Sequence, residues 1–373
     1  MPTSYQALAL FSGGLDSILA AKLVARQGLS VLCLHFTTPF YDKSRMVDHW
    51  REIYDLDITA VDVGRDFVDM MQRGPDNGFG KNLNPCVDCK VLLLSRAKAL
   101  MPEYGASFLI TGEVVGQRPM SQRRDTLARI SRLADVRDII LRPLCAKKLE
   151  PTPMELSGLV DREQLGALFG RGRLGQMDLA REFGITEIPT PGGGCRLTES
   201  EAAKRYLPLI AQGLSVDPAD FELTNVGRQY WWDHHFLAVG RTESDNRRLA
   251  ESARPGDILF RLKDMPGPTA VGRVFPGRAW TPEALAEASA VTAWHAPKAR
   301  TLTAPVSVNL RQNGQLTTLV VTPAQGPHFA PPSFAAVTEW KQERQERLDG
   351  QERQERQERQ ERFERRRSEN TPG

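Results

Sequence analysis

The six residues Ser12-Gly13-Gly14-Leu15-Asp16-Ser17 constrain this 373-residue chain more than any other stretch. They follow a short apolar run, Ala7 to Phe11, that reads as a buried strand. They open an amphipathic stretch, Asp16 to Gln27, in which Ile18, Leu19, Leu23 and Val24 share one side of a helix and Gly28 stops it. Two glycines let the backbone turn tightly and approach an anion closely. The free N–H groups of the helix start, together with the helix dipole, then hold a phosphate. Ser12 and Ser17 add hydroxyl donors. Asp16 would repel a phosphate unless a cation lay between, which assigns it to Mg2+. The lysine-bearing loop GxxxxGKS/T is absent, so this is not the turn that cradles a nucleotide for γ-phosphate transfer. The competing reading is a serine-capped strand-to-helix turn without a ligand.

The alternation continues. Ser30 to Phe36 and Asp57 to Val63 read as strands, Val87 to Leu100 as a helix, and Ser107 to Thr111 as another strand. Strands alternating with helices predict βαβ units on a parallel sheet, with ligands at the carboxyl ends of the strands. The expected fold class is therefore α/β for a first domain over 1–215, which a helix from Glu199 to Gln212 would close. Asp217-Pro218 offers a boundary. From 221 to 325 the runs are short and β-like, at His235 to Gly240, Asp257 to Leu262, Pro305 to Leu310 and Leu316 to Val321. Turn pairs such as Pro255-Gly256, Pro266-Gly267 and Asn313-Gly314 separate them, which predicts a second, smaller α+β domain. Residues 338–373 form a charged tail in which the triplet QER occurs six times. A period of three gives no coiled-coil stripe. It does set glutamates four residues before arginines, which supports a solvated, frayed helix or a disordered tail; a weak RNA-contacting arm is the sharper alternative.

Five cysteines, Cys33, Cys86, Cys89, Cys145 and Cys195, cannot all pair, and closely spaced thiols suggest metal or redox chemistry in a reducing compartment, the cytoplasm. No apolar run is long enough for a transmembrane helix, and the N-terminus does not read as a secretion signal. A formal charge of +3 is too small to prove a nucleic-acid partner, so any basic surface must be local.

SGGLDS resembles the pyrophosphate loop of the PP-loop ATPases, the adenine nucleotide alpha hydrolase-like group. That resemblance implies cleavage of ATP to AMP and pyrophosphate and adenylation of a carbonyl oxygen. Further on, Thr111-Gly112-Glu113, Gly116-Gln117 and Ser121-Gln122 form TGEVVGQRPMSQ, and Leu141-Arg142-Pro143-Leu144 follows. Both resemble elements of the tRNA 4-thiouridine synthetase family, a likeness that covers roughly residues 6–150. It implies an ATP site at Ser12, Gly13, Gly14, Asp16, Ser17, Thr111, Gly112, Glu113 and Gln117. Gly112 would permit close approach to adenine or ribose.

Cys86-Val87-Asp88-Cys89 sets two thiols at a helix start, a position that lowers thiol pKa. Cys195 sits behind Gly192-Gly193-Gly194, which permits close backbone approach. Three readings stay open for Cys86, Cys89 and Cys195. They hold three irons of a 4Fe–4S cluster, resembling the cluster-dependent tRNA thiolases. Alternatively Cys195 carries a persulfide that Cys86 or Cys89 resolves, as in the 2-thiouridylases. In the third, they bind a structural zinc, which needs a fourth ligand. Cys33 and Cys145 read as core.

Arg118, Arg123, Arg124, Arg129, Arg132, Arg137, Arg171 and Arg173 are candidate RNA phosphate contacts, or else a solvated, salt-bridged face. In order and spacing, Val239-Gly240-Arg241, Pro255-Gly256-Asp257 and Met265-Pro266-Gly267 resemble the RNA-binding R domain of the NFACT proteins, with Arg261, Lys263 and Arg273 on one rim. The alternative use of this domain is dimerisation. These features together predict an ATP-dependent tRNA-modifying sulfurtransferase that thiolates a base, uridine first, with hydrosulfide or a persulfide carrier as sulfur donor. The alternatives are a PP-loop amidating ligase on a small metabolite and a non-catalytic RNA-binding factor.

Overall fold

The computed structural model describes residues 4–118, 121–190, 194–302 and 304–369. Pro119 and Met120 of the TGEVVGQRPMSQ run, and Gly192 and Gly193 before Cys195, lie outside them. The chain forms two compact units, the first from 1–199 and 215–223, the second from 200–214 and 224–373. The sequence interleaves at this junction, because the helix expected to close the first region belongs to the second unit.

In the first unit, β1 (Ala7–Leu10), α1 (Leu15–Ala25), β2 (Val31–Thr37), α2 (Val47–Tyr54), β3 (Asp57–Asp62), α3 (Gly64–Arg73), α4 (Cys86–Tyr104), β4 (Phe108–Thr111), α5 (Arg124–Leu133) and β5 (Ile140–Leu141) follow in order. The short α6 (Pro153–Leu156) and α7 (Leu174–Glu182) come next. The five strands make one parallel sheet in the order β3-β2-β1-β4-β5. Continuous apolar runs fill β1, β2 and β4 because both faces are covered. Ala7, Ala9, Cys33 and Ile110 pack toward α1 and α2, while Leu8, Leu34 and Leu109 pack toward α4 and α5. The strand order reverses between β1 and β4, so the ligand crevice of such a sheet opens at their carboxyl ends. The SGGLDS and TGE segments leave from those two ends. Helix α9 (Pro218–Leu223) completes this unit: Phe221 is fully buried, its ring 5.0 Å from that of Phe40.

The second unit holds α8 (Ser200–Ala211), β6 (Arg228–Trp232), β7 (His235–Val239), α10 (Glu243–Ser252), β8 (Ile258–Leu262), β9 (Ala270–Arg273), α11 (Pro282–Trp294), α12 (Pro297–Arg300), β10 (Val306–Gln312), β11 (Gln315–Val321) and α13 (Phe334–Glu369). Its sheet is antiparallel throughout, in the order β11-β10-β8-β9-β7-β6. Two-residue turns at Asp233-His234 and Asn313-Gly314 join its hairpins, with φ positive at Asp233, Asn313 and Gly314. The QER repeat is part of the single helix α13. Of the expected basic rim, Arg261 and Lys263 are exposed, but Arg273 is 1% exposed and cannot reach a ligand. Its guanidinium Nε lies 3.5 Å from Asp257, and Nη2 donates to the Ser252 carbonyl at 3.2 Å. A buried arginine needs a carboxylate more than it needs RNA. No helix among the described residues is long and apolar enough to cross a membrane.

Candidate active site

The turn between β1 and α1 is held by its own hydroxyls. Ser17 Oγ donates to the Gly14 carbonyl at 2.7 Å, and the Ser12 N–H donates to Ser17 Oγ at 3.3 Å. Gly13 has φ +71°, and a Cβ there would run into the Trp50 indole, so the position admits only glycine. Trp50, 5% exposed, packs edge-on against Phe11 and His35 and buttresses the turn from below. Sequence reasoning missed it, since an aromatic on α2 carries no signal of its own. Asp16 Oδ2 accepts from Gln117 Nε2 at 3.0 Å, so the two expected residues do meet. Asp16 Oδ1 is buried with no hydrogen-bond partner among the described residues. A buried carboxylate oxygen left unpaired suits a hard cation such as Mg2+.

Gly112 is required for a different contact from the expected one. A Cβ there would meet the backbone of Asp16 and Ser17, so its close approach is to α1 itself. Glu113 is 1% exposed and is clamped, not offered to a ligand. Lys90 Nζ lies 2.9 Å from Oε1, Arg142 Nε donates to Oε2 at 3.0 Å, and Thr111 Oγ1 donates to Oε2 at 3.1 Å. Burial opposes ionisation of this carboxyl, but Lys90 and Arg142 outweigh it and hold it down to about 2. Arg142 belongs to the LRPL element and Lys90 follows Cys89 directly. The triad therefore ties the cysteine helix, the TGE loop and β5 together.

The three cysteines converge. The helices of a parallel α/β sheet run against the strands, so α4 begins at the carboxyl edge. The segment after Gly194 returns to the same edge, where the Arg196 N–H donates to the Phe40 carbonyl at 2.9 Å and Asn82 Nδ2 to the Thr198 carbonyl at 2.6 Å. Asn84 Nδ2 donates to Cys86 Sγ at 3.1 Å. Asp88 holds the preceding loop through the N–H groups of Asp76 and Asn77. The helix start does not acidify Cys89. Burial, and then the neighbouring Cys195, push its thiol up to about 12; burial pushes Cys195 to about 11. Burial overrides the helix dipole because it removes the water that would solvate a thiolate. Tyr41, whose hydroxyl is also raised by burial and then by Cys89 and Cys195, faces the same space. Among the described residues no three His, Cys, Asp or Glu side chains close round a single ion. A zinc site needs that closure, whereas a cluster takes each thiolate on a different iron. Two thiols that burial keeps protonated, Cys89 and Cys195, with Cys86 beside them receiving an amide hydrogen bond, suit a group that supplies positive charge. Cys33 and Cys145 are fully buried; the Cys145 thiol donates to the Glu113 carbonyl at 3.2 Å.

Residues 2–150 match the family model described as thiamine biosynthesis protein (ThiI). That bears out the resemblance carried by SGGLDS, TGEVVGQRPMSQ and LRPL. A probable tRNA sulfurtransferase of Methanosarcina mazei is 28% identical over 145 residues, 35% of this chain and 34% of that protein. Another, of Thermococcus kodakarensis, is 24% identical over 193 residues, 50% of this chain and 43% of that one. The chain thus spans less than half the length of these curated relatives. Among solved structures, the C-terminal part of the fibronectin/fibrinogen-binding protein from Streptococcus suis is similar at a TM-score of 0.24 and 16% identity, over 40% of this chain and 75% of that one. The ThiI-like region contains every ATP-site residue expected from the sequence and the first two cysteines, but ends before Cys195.

Proposed function

We propose that this chain is an ATP-dependent tRNA-modifying sulfurtransferase that adenylates a nucleobase carbonyl, uridine first, and replaces its oxygen with sulfur. The observation that carries this reading is the meeting of Cys86, Cys89 and Cys195 beside Tyr41, at the same sheet edge as a glycine-rich, serine-held phosphate turn. The N–H groups and hydroxyls of Ser12, Gly13, Gly14 and Ser17 take the pyrophosphate end of ATP. Asp16, with its free oxygen, holds Mg2+, which when bound offsets phosphate charge and acts as template and Lewis acid. Gln117 fixes the orientation of Asp16, and the Glu113 triad fixes the loop that carries Gln117.

The carbonyl oxygen of the base attacks the α-phosphorus, the bond to the bridging oxygen breaks, and pyrophosphate leaves. Hydrosulfide from solution then adds at the activated carbon and loses its proton; with a persulfide on Cys195 as donor, its outer sulfur adds instead, and attack by Cys86 or Cys89 on the Cys195 sulfur breaks the S–S bond and leaves a disulfide. AMP departs with the former carbonyl oxygen. Cys86, Cys89 and Cys195 would hold a 4Fe–4S cluster, which supplies an iron free of cysteine for incoming sulfur. The second unit docks RNA, in line with its resemblance to the NFACT R domain, and leaves room for a homodimer. The site of action is the cytoplasm.

Anaerobically purified protein given ATP, tRNA and sulfide should form AMP, pyrophosphate and a thiolated nucleoside detectable by mass spectrometry. Asp16→Ala should abolish all three, whereas Cys195→Ala should keep ATP–pyrophosphate exchange and lose the thiolated base. ADP and phosphate as products would overturn the assignment. Full activity without iron, with a persulfide on Cys195, would overturn the cluster alone.

A further inference from the structure

A cleft of about 170 Å3 lies within the second unit, between α8 and the edge strand β6, with Pro331 and Pro332 on its rim. Lys204, Arg228, Arg241 and Tyr230 line it. Lys204 is balanced by Glu201 at 2.7 Å. Arg228 and Arg241 have no carboxylate within ion-pair distance among the described residues. The Arg228 Nη1 donates to the Gly240 carbonyl at 3.1 Å, which fixes the guanidinium while leaving its charge uncompensated. Asp245 Oδ2 accepts the backbone N–H of Arg241, at 3.1 Å, rather than its guanidinium. The Tyr230 hydroxyl and His295 Nε2 share a hydrogen bond at 2.7 Å. Burial, then Arg228 and Arg300, keep His295 down to about 4, so the ring is neutral. Arg300 in turn lies over the Trp294 ring, 5.7 Å from its centroid.

Arg228 and Arg241 lie beside Tyr230 in this cleft, whose lining carboxylate, Glu201, is taken by Lys204, so the two guanidiniums repel each other unless an anion sits between them. Guanidinium forks match phosphate oxygens, and a ring such as Tyr230 offers a face for stacking. We infer that this cleft is a phosphate subsite, built by Arg228 and Arg241 with Tyr230 beside them, that takes a backbone phosphate of the tRNA. The inference rests on the proposed RNA-docking role of the second unit, but locates it away from the Arg261 and Lys263 rim that the sequence suggested.

The test measures tRNA affinity of the full-length chain by fluorescence anisotropy across a salt series, with inorganic phosphate as a second probe. The double variant Arg228→Glu/Arg241→Glu should bind tRNA at least tenfold more weakly. Its salt slope should be shallower by about two, as for the loss of two phosphate contacts. The single variant Arg241→Ala, at an exposed position whose fold cost is small, should give about half that change in slope. Arg311→Glu, a single charge reversal at an exposed position of β10, should match the wild type. Unchanged affinity and slope in both cleft variants would overturn the subsite, as would an equal loss in Arg311→Glu. Displacement of tRNA by micromolar inorganic phosphate would mean a small-anion pocket and would overturn the RNA assignment. ATP–pyrophosphate exchange by the wild type is followed in parallel. Its absence would defeat the sulfurtransferase reading, while the anisotropy series would still decide the cleft.

Discussion

Glu113 is the clearest case of a side chain whose surroundings decide its role. With its carboxyl at about 2 against an ordinary 4.5, it stabilises the fold fully above pH 4.5. That contribution is lost as the pH falls from there through about 2. Glu113→Gln leaves Arg142 buried beside an uncharged partner and should cost about 3–5 kcal/mol at pH 7, the cost of breaking a buried pair. Urea unfolding at pH 7 and at pH 2.5 reads this directly, since the gap between wild type and variant should narrow at the lower pH. Equal stabilities at pH 7 would show that the triad does not hold the loop. The thiols carry a second signature. With Cys195 raised to about 11, metal-free protein should react with iodoacetamide at Cys195 roughly a hundredfold more slowly at pH 7.5 than a free cysteine does. Peptide mass spectrometry over time measures it. Fast alkylation would mean that something other than a bound cation stabilises the thiolate.

At the scale of elements, the turns do structural work that their composition disguises. The Pro255-Gly256-Asp257 turn reads from its letters as a surface feature, yet Asp257 is 5% exposed. It accepts from the N–H groups of Arg254 and Val274 and faces the buried Arg273. Asp257→Ala should therefore lower stability by about 3–5 kcal/mol, seen as a depressed Tm. A Tm within a degree of wild type would mean that Arg273 finds another partner. Helix α13 behaves in the opposite way. Its first turns are anchored by Val337, 1% exposed, and Arg344 lies over the Trp340 ring, while further along Gln345 donates to Asp349 Oδ1 at 2.8 Å within the helix itself. A chain ending at Leu348 should unfold within about 0.5 kcal/mol of the full one. A larger loss would assign the repeat a packing role.

For the whole molecule, the order of segments matters more than the order of domains. The chain passes from the first unit to the second at 199/200, back at 214/215 and out again at 223/224. A chain ended at residue 215, the boundary that the sequence suggests, keeps α8 but discards α9. It removes Phe221 from beside Phe40 and Pro218 from beside Gly64. Compared with a chain ended at 223, it should be less stable by about 3–5 kcal/mol, the usual cost of deleting a buried phenylalanine. Urea unfolding of the two truncated chains, with ATP binding as a check on the fold, tests this. Equal midpoints would show that α9 is not part of the first unit's core.

The sequence by itself determined the strand–turn–helix order and the parallel α/β class, and it singled out the SGGLDS turn and the CxxC with a distant third cysteine as candidates. Those features are written in local periodicity and in glycines whose backbone demands are local too. It placed β1, β2 and β4 to within a residue or two, because strands buried on both faces are continuous apolar runs, and it placed the half-exposed edge strand β3 as closely. It did not determine that Lys90 and Arg142 share Glu113, that Trp50 supports Gly13, or that Gly112 packs on α1. Nor did it reveal that Arg273 is interior while Arg228 and Arg241 meet in a cleft. Each of these is a contact between residues tens of positions apart, and charge or size alone does not say which partner a side chain will find. The direction of the cysteine pKa values was likewise decided by tertiary structure: a helix start favours the thiolate, and only the packing around Cys89 and Cys195 shows that lost solvation outweighs it.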